Sequence, residues 1–449
     1  DDPLLSLQWH LTDPAGGIRA AAAWAVTAGV TDVVVAVIDT GLVPHPDLAA
    51  DRVLPGYDFV SDLFMANDGD ARDADPADPG DWVTAQETVT QPACFGYPPM
   101  NSSWHGTHVT GVIAAQGGNG QGVAGVAWGV RVLPVRALGK CGGADSDIAD
   151  AMLWAAGLAS GDPSVPDNPT PAQILNLSLG GGEQCAATVY QPVVDQLRAA
   201  GVLVIAAAGN DGGPVSAPAN CEGVLAVAAN NRAGDLSNFS SYGPEVALTA
   251  PGGESGQDYI YSLYNSGVTG PAGATYAGFT GTSAAAPQVA GAAALVKSFN
   301  PQLTGLQLAA ILTTTTHPLA EGGRCLTDPA LGGQCGWGIL DAGAAVNAAA
   351  GVVQALSPAV APPGSGDLIL TVTGQHFLAG AQVLWAGSPL ATSFVDAGVL
   401  TATVPAARLA APGAAAVAVL NPGAGAASFT PAQFIIGTSF YLPAIQRGS

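Results

Sequence analysis

Short β-branched runs alternate with Ala-rich stretches through the first 350 residues. Val33–Ile38, Val130–Val135, Ile174–Leu179, Val202–Ala207 and Val224–Ala228 read as strands buried on both faces. Between them, Ile148–Ala159 and Val189–Ala200 read as helices. Strand–helix–strand repetition predicts an α/β fold of three layers, with a mostly parallel central sheet covered by helices. Functional residues in such folds gather at the carboxyl ends of the strands.

Near residue 355 the pattern changes. Ser357 to Gly366 is rich in Pro and Gly and reads as a linker. Beyond it, alternating runs at Asp367–Thr373, Ala381–Trp385, Leu400–Val404, Ala415–Leu420 and Gln433–Ile436 predict a small all-β sandwich. The expected organisation is a catalytic domain over residues 1–350, a β-sandwich over 354–437 and a tail over 438–449.

Composition supports two packed domains. The chain has 449 residues, 48% of them hydrophobic and only 10% charged. Acidic residues outnumber basic ones 34 to 12, a net charge of −22 that opposes binding to nucleic acid or anionic membranes. Six cysteines without a CxxC pair or zinc-finger spacing point to disulfides in an oxidising compartment. No signal peptide opens the chain, and no unbroken apolar run reaches membrane-spanning length. The expectation is a secreted chain that begins at a mature N-terminus.

Three motifs carry candidate chemistry. VVVAVIDTG places Asp39 just after a buried strand, SSWHGTHVTGVIAA holds His105 and His108, and GTSAAAPQVAGAAALV opens an Ala-rich helix at Ser283. A serine hydroxyl needs a base to become a nucleophile, and histidine titrates in the right range. A buried carboxylate fixes the histidine tautomer. Each motif alone is weak: DTG also occurs in aspartic proteases, and most helix-start serines are plain caps. Their joint occurrence in the order Asp, His, Ser is specific.

From Asp1 to Ala350 the chain resembles the subtilisin-like serine peptidases, in their secreted bacterial branch. The resemblance implies that His105, first of HGTH, is the base and that His108 is a core residue. It implies that Asn210, in VLVIAAAGN, donates to the oxyanion beside the Ser283 backbone N–H. Ser178, Leu179 and Gly180 would form one substrate-binding edge, and Cys141, Gly142 and Gly143 the second. Ala207, Ala208 and Gly209 would wall the primary specificity pocket, with Ser216 at its base. Ala284 stands where many relatives carry Met, which removes an oxidisable sulfur beside the nucleophile. Small pocket walls imply broad specificity with a preference for large apolar side chains.

Structural calcium is the expected cofactor, at two places. By resemblance, Asp47 and the loop GGNGQGVAG form the first site, through Asn119, Gln121 and Val123, with Asp2 completing it. The acidic run NDGDARDADPADPGDW suggests a second, with Asp62, Asp68, Asp70 and Asp75 as ligands. A solvated acidic loop is the alternative. Of the many pairings six cysteines admit, Cys94–Cys141, Cys185–Cys221 and Cys325–Cys335 are expected. From Val352 to Gly437 the chain resembles IPT/TIG immunoglobulin-like domains, which serve as spacers or bind partners. The expected partners of the chain are protein or peptide substrates and its own propeptide, with a monomeric state. A narrow-specificity processing protease and a binding protein on an inactive scaffold are the competing readings.

Overall fold

A computed structural model describes residues 2–181, 184–254, 256, 258–422, 428 and 431–437. The expected tail over 438–449 lies outside the described residues. The chain divides into two compact units. One holds residues 1–298 and 303–346, the other 299–302 and 347–449.

The first unit is built on a seven-stranded sheet. Its strands are β1 (Val34–Asp39), β2 (Tyr57–Asp58), β3 (Arg131–Arg136), β4 (Ile174–Leu177), β5 (Leu203–Ala207), β6 (Leu225–Asn230) and β7 (Val246–Pro251). They lie in the order β2-β3-β1-β4-β5-β6-β7, all parallel. Every residue of β1, β4, β5 and β6 is buried, as the unbroken apolar runs predict. In register, Ile38 lies opposite Leu177, and Leu177 opposite Ala206. The residues that follow these strands therefore emerge side by side. An antiparallel hairpin, β8 (Ile260–Asn265) with β9 (Ala274–Phe279), completes the strands of this unit.

Four helices matter for the site: α1 (His105–Ala114), α2 (Asp145–Ala155), α3 (Tyr190–Ala199) and α4 (Thr282–Phe299). The buried stretch of α4 is almost all small residues, which lets its N-terminal turn approach the sheet closely. All three disulfides form in the expected pairing, Cys94–Cys141, Cys185–Cys221 and Cys325–Cys335. Each restricts the unfolded chain and is worth about 2–4 kcal/mol. Among the described residues no helix is long and apolar enough to cross a membrane.

The second unit is a β-sandwich. Strands β10 (Val352–Ser357), β12 (Leu368–Gln375), β16 (Val399–Val404) and β15 (Ala391–Asp396) form one sheet. Strands β11 (Val360–Ala361), β18 (Ala432–Ile436), β17 (Gly413–Leu420), β13 (Gln382–Trp385) and β14 (Ser388–Pro389) form the other. Leu370, Val372, Val383, Leu400, Val417 and Phe434 fill the space between, with the Trp385 and Phe434 rings 4.9 Å apart. The Pro/Gly stretch read as a linker is partly strand. Ser357 ends β10, and Val360–Ala361 pairs with Ile435–Ile436.

Candidate active site

Asp39 ends β1 and is wholly buried. Its Oδ1 accepts the Thr40 N–H at 2.8 Å, and His105 Nδ1 lies 2.8 and 2.9 Å from the two carboxylate oxygens. A carboxylate only accepts, so Nδ1 carries the hydrogen and Nε2 keeps its lone pair. Burial alone would lower the His105 pKa. The Asp39 charge outweighs it, with Asp81 and Asp78 adding, and the net shift is upward from 6.5.

The backbone around His105 is held tightly. Trp104, which precedes the helix, is wholly buried, takes φ +49° and donates its indole N–H to Gly267 O at 2.8 Å. A Cβ on Gly106 would stand 2.3 Å from Gly41 O, so only glycine lets α1 press against the Asp39-Thr40-Gly41 turn. His108 is a different kind of residue. Its Nε2 lies 3.0 Å from Ile260 O, its ring stacks 3.9 Å from that of Phe279, and burial pushes its pKa down to about 3.

Ser283 is the second residue of α4. Its hydroxyl donates to Ser178 O at 3.1 Å, and the Ser178 hydroxyl donates back to Ser283 O at 2.8 Å. This reciprocal pair ties the start of α4 to the exit of β4. Among the described residues the Ser283 hydroxyl makes no hydrogen bond to His105; it bonds to Ser178, which lines the same cleft as His105. Catalytic hydrogen bonds commonly form only in the substrate complex.

Asn210 follows β5. Its Oδ1 accepts from the Thr282 N–H and hydroxyl, at 2.9 and 3.0 Å, which leaves Nδ2 without a protein acceptor among the described residues. A Cβ built on Gly281 would meet Asn210 Nδ2 at 3.5 Å and Ser283 N at 3.7 Å. Two donors thus border one small space beside the Ser283 side chain.

The cleft holds about 420 Å³. Ser178, Leu179 and Gly180 form one wall and Cys141, Gly142 and Gly143 the other, so both expected substrate edges meet there with His105. Ala207, Ala208 and Gly209 do not line this cleft. Ala207 and Ala208 are buried. Ser216 Oγ would lie 3.1 Å from a Cβ on Gly180 and 3.5 Å from one on Gly209, so it closes the gap between the two segments. Sequence reasoning missed Tyr97 and Met100, which also line the cleft, Tyr97 beside Gly142. Their signal was the Cys94–Cys141 bridge, which draws their loop onto the substrate edge.

The first expected calcium set comes together. Buried Asp47 accepts from Asn119 Nδ2 at 2.7 Å and from the Val123 N–H at 3.0 Å, and burial pushes its pKa up. The Gln121 N–H bonds to Asn119 Oδ1, and Asp2 accepts from the N–H groups of Gly118, Asn119 and Gly120. The Asp47 and Asp2 carboxylates and the Asn119 amide supply oxygen atoms of the kind calcium takes, each held here by N–H groups of the same loop.

The second expected set does not assemble. Asp62 caps Leu63–Ala66, Asp68 pairs with Arg136, Asp75 accepts the Ala77 N–H, and Asp70 is exposed. Among the described residues no three acidic, histidine or cysteine side chains group around a point. Asp62 and Asp75 are taken up by backbone N–H groups of their own turns and Asp68 by Arg136, while Arg72 of the acidic run pairs with acids outside it. Arg136 pairs with Asp58 and Asp68, and Arg72 with Asp147 and Asp150.

A parallel sheet that presents an acid, an imidazole and a hydroxyl beside free amide donors is the architecture of a serine hydrolase. Residues 31–338 match the Subtilase family, and the chain belongs to it. Residues 352–436 match the IPT/TIG domain. The chain is 46% identical over 352 residues to an "Extracellular protease" of Xanthomonas campestris pv. campestris, covering 78% of this chain and 57% of that protein. It is 43% identical over 383 residues to an "Extracellular basic protease" of Dichelobacter nodosus, covering 82% and 60%. The chain thus spans about three fifths of the length of these curated relatives. A solved protease structure from Pseudoalteromonas arctica aligns with TM-score 0.71 at 44% identity, over 78% of this chain and 98% of that one.

Proposed function

We propose that the protein is a secreted, calcium-stabilised serine endopeptidase that cleaves proteins through an acyl-enzyme on Ser283. The observation that carries this reading is the Asp39–His105 pair, which faces a cleft whose wall accepts the Ser283 hydroxyl. Secretion is supported by three disulfides and by relatives named as extracellular.

In this mechanism substrate binds as an extended strand between Gly142–Gly143 and Ser178–Gly180 and is read chiefly through its main chain. Ser283 turns from Ser178 O to His105 Nε2 and attacks the scissile carbonyl as the proton passes to the ring. Asp39 stabilises the imidazolium. Asn210 Nδ2 and the Ser283 N–H receive the oxyanion. His105 then protonates the leaving amine, and a water molecule, deprotonated by His105, releases the acyl group. Small residues around the pocket suit large apolar side chains. Substrate proteins and the chain's own propeptide are its partners, and it acts as a monomer.

The test is hydrolysis of casein that is abolished by a serine-directed sulfonyl fluoride. An intact protein without such activity would support the inactive-scaffold reading instead. Asn210→Ala is expected to lower kcat by about 100- to 1000-fold with little change in KM, a magnitude borrowed from subtilisin itself. Steady-state kinetics on a peptide anilide check it, and a rise in KM with kcat unchanged would mean the amide binds ground state and transition state alike.

Calcium at Asp47, Asn119, Gln121, Val123 and Asp2 would fix the N-terminus to the loop without entering the chemistry. At a hundredfold excess over its Kd it should stabilise the fold by about 2.7 kcal/mol. Calorimetry with and without chelator should show the shift in Tm, and Asp47→Asn should erase it. A calcium-independent Tm would rule the site out.

A further inference from the structure

The first two backbone N–H groups of α1 belong to His105 and Gly106, and each meets a hydroxyl. His105 N donates to Ser103 Oγ at 3.3 Å, and Gly106 N donates to Thr40 Oγ1 at 3.0 Å. Helix starts leave such donors unsatisfied, and hydroxyl caps are ordinary. Here each hydroxyl is itself held by an acid. Ser103 Oγ donates to Asp81 Oδ2 at 2.7 Å, and the Ser103 N–H reaches Asp81 Oδ1 at 2.6 Å. Thr40 Oγ1 donates to Asp78 Oδ2 at 2.7 Å.

Both acids come from one turn, Asp78-Pro79-Gly80-Asp81. Gly80 takes φ +101°, donates to Asp78 Oδ1 at 2.8 Å, and has no room for a side chain. A Cβ there would stand 2.2 Å from Thr269 O and 2.5 Å from Ser102 Oγ. The turn is therefore locked against the segment that leads into His105. Asp78 is buried, while Asp81 is partly exposed and borders the cleft.

We propose that Asp78 and Asp81 are positioning residues for His105: through Thr40 and Ser103 they hold the two N–H groups that start α1, and so fix the ring between Asp39 and the cleft. Neither touches the reacting atoms. Each hydroxyl has one hydrogen, and the acid claims it. The oxygen lone pairs then face the backbone N–H groups, which a freely rotating hydroxyl would not ensure. Asp81 places negative charge near the ring, and Asp78 does so above its own pKa, which burial pushes up to about 7. The charged and titratable groups around this cluster are Asp39, Asp78 and Asp81 near His105, neutral His108 on its own helix, Tyr264 near Asp81, and Arg136 acting on Asp78.

The inference rests on the serine-peptidase reading, and its test separates the two. The kcat and KM of purified Asp81→Asn on a peptide anilide are measured against pH, beside Ser103→Ala and an exposed control, Asp195→Asn. Asp81→Asn should lower kcat about fivefold to tenfold with KM within about twofold, and should move the acid limb of the profile to lower pH by about half a unit. The direction follows because the base must be neutral and loses a stabilising charge. Ser103→Ala keeps the charge and cuts the link, so kcat falls while the limb stays. For the Asp78 arm, Thr40→Ser should retain most activity and Thr40→Val should lose it, whether or not Asp78→Asn folds. Profiles of Asp81→Asn and Ser103→Ala that match Asp195→Asn, in an active wild type, would overturn the inference alone. A wild type that hydrolyses nothing would overturn both readings.

Discussion

Replacing Ser283 by Ala is expected to lower kcat on peptide substrates by about a millionfold while leaving KM and the fold nearly unchanged. The magnitude is borrowed from subtilisin, the reference case for such losses. The hydroxyl is the atom that becomes bonded to substrate, and no neighbouring group can replace it. The Ser178 hydroxyl already donates to Ser283 O, and Ser178 is buried. What the fold loses is one hydrogen bond to Ser178 O, worth about 1 kcal/mol. The oxyanion donors and both substrate edges survive, so slow hydrolysis above the rate in water should remain. Burst and steady-state kinetics on one preparation, with calorimetry for the fold, check all of this. Retention of more than about a thousandth of the activity would place the nucleophile elsewhere.

Asp39→Asn should cost about ten-thousandfold in kcat at neutral pH. Oδ1 now accepts from both Thr40 N–H and His105 Nδ1–H. An asparagine would keep its oxygen on Thr40 and turn its NH₂ toward the ring. Nδ1 must then accept, which moves the ring hydrogen to Nε2 and removes the base that Ser283 needs. The His105 pKa should also fall, because Asp39 is the largest influence opposing its desolvation. The acid limb of any residual activity should therefore move to lower pH. Ring titration by NMR checks the direction, and a pKa that stays above 6.5 would mean that other acids, not Asp39, hold the imidazolium.

The parts of the site that follow strands were readable in advance. Asp39, Ser178 and Asn210 each stand directly behind a run whose apolar continuity marks a buried parallel strand, and register then sets them side by side. The expected disulfides rested on Cys94 and Cys141 flanking the catalytic segments, Cys185 and Cys221 flanking strand β5, and Cys325 and Cys335 closing a short local loop. Less regular elements were not. Strand β7 and the β8–β9 hairpin carry Thr, Tyr, Ser and Asn among their apolar residues, which breaks the apolar runs that mark the other strands. Strand β11 has two residues in a Pro/Gly stretch, too few to show a period. The acidic run misled for a different reason. Its Asp68 is neutralised by Arg136, 68 positions away, and no local pattern distinguishes such a partner from a bound metal. Tyr97 and Met100 reach the cleft on a loop whose path is set by its disulfide and not by periodicity.

Activity that depends on a hydroxyl and its base can be read out covalently. Treating the active protein with a biotinylated fluorophosphonate and mapping the tryptic peptides by mass spectrometry should give one adduct per chain, on the peptide containing residue 283, and His105→Ala should abolish its formation. A fully active preparation that takes the label elsewhere, or not at all, would contradict the account at its root.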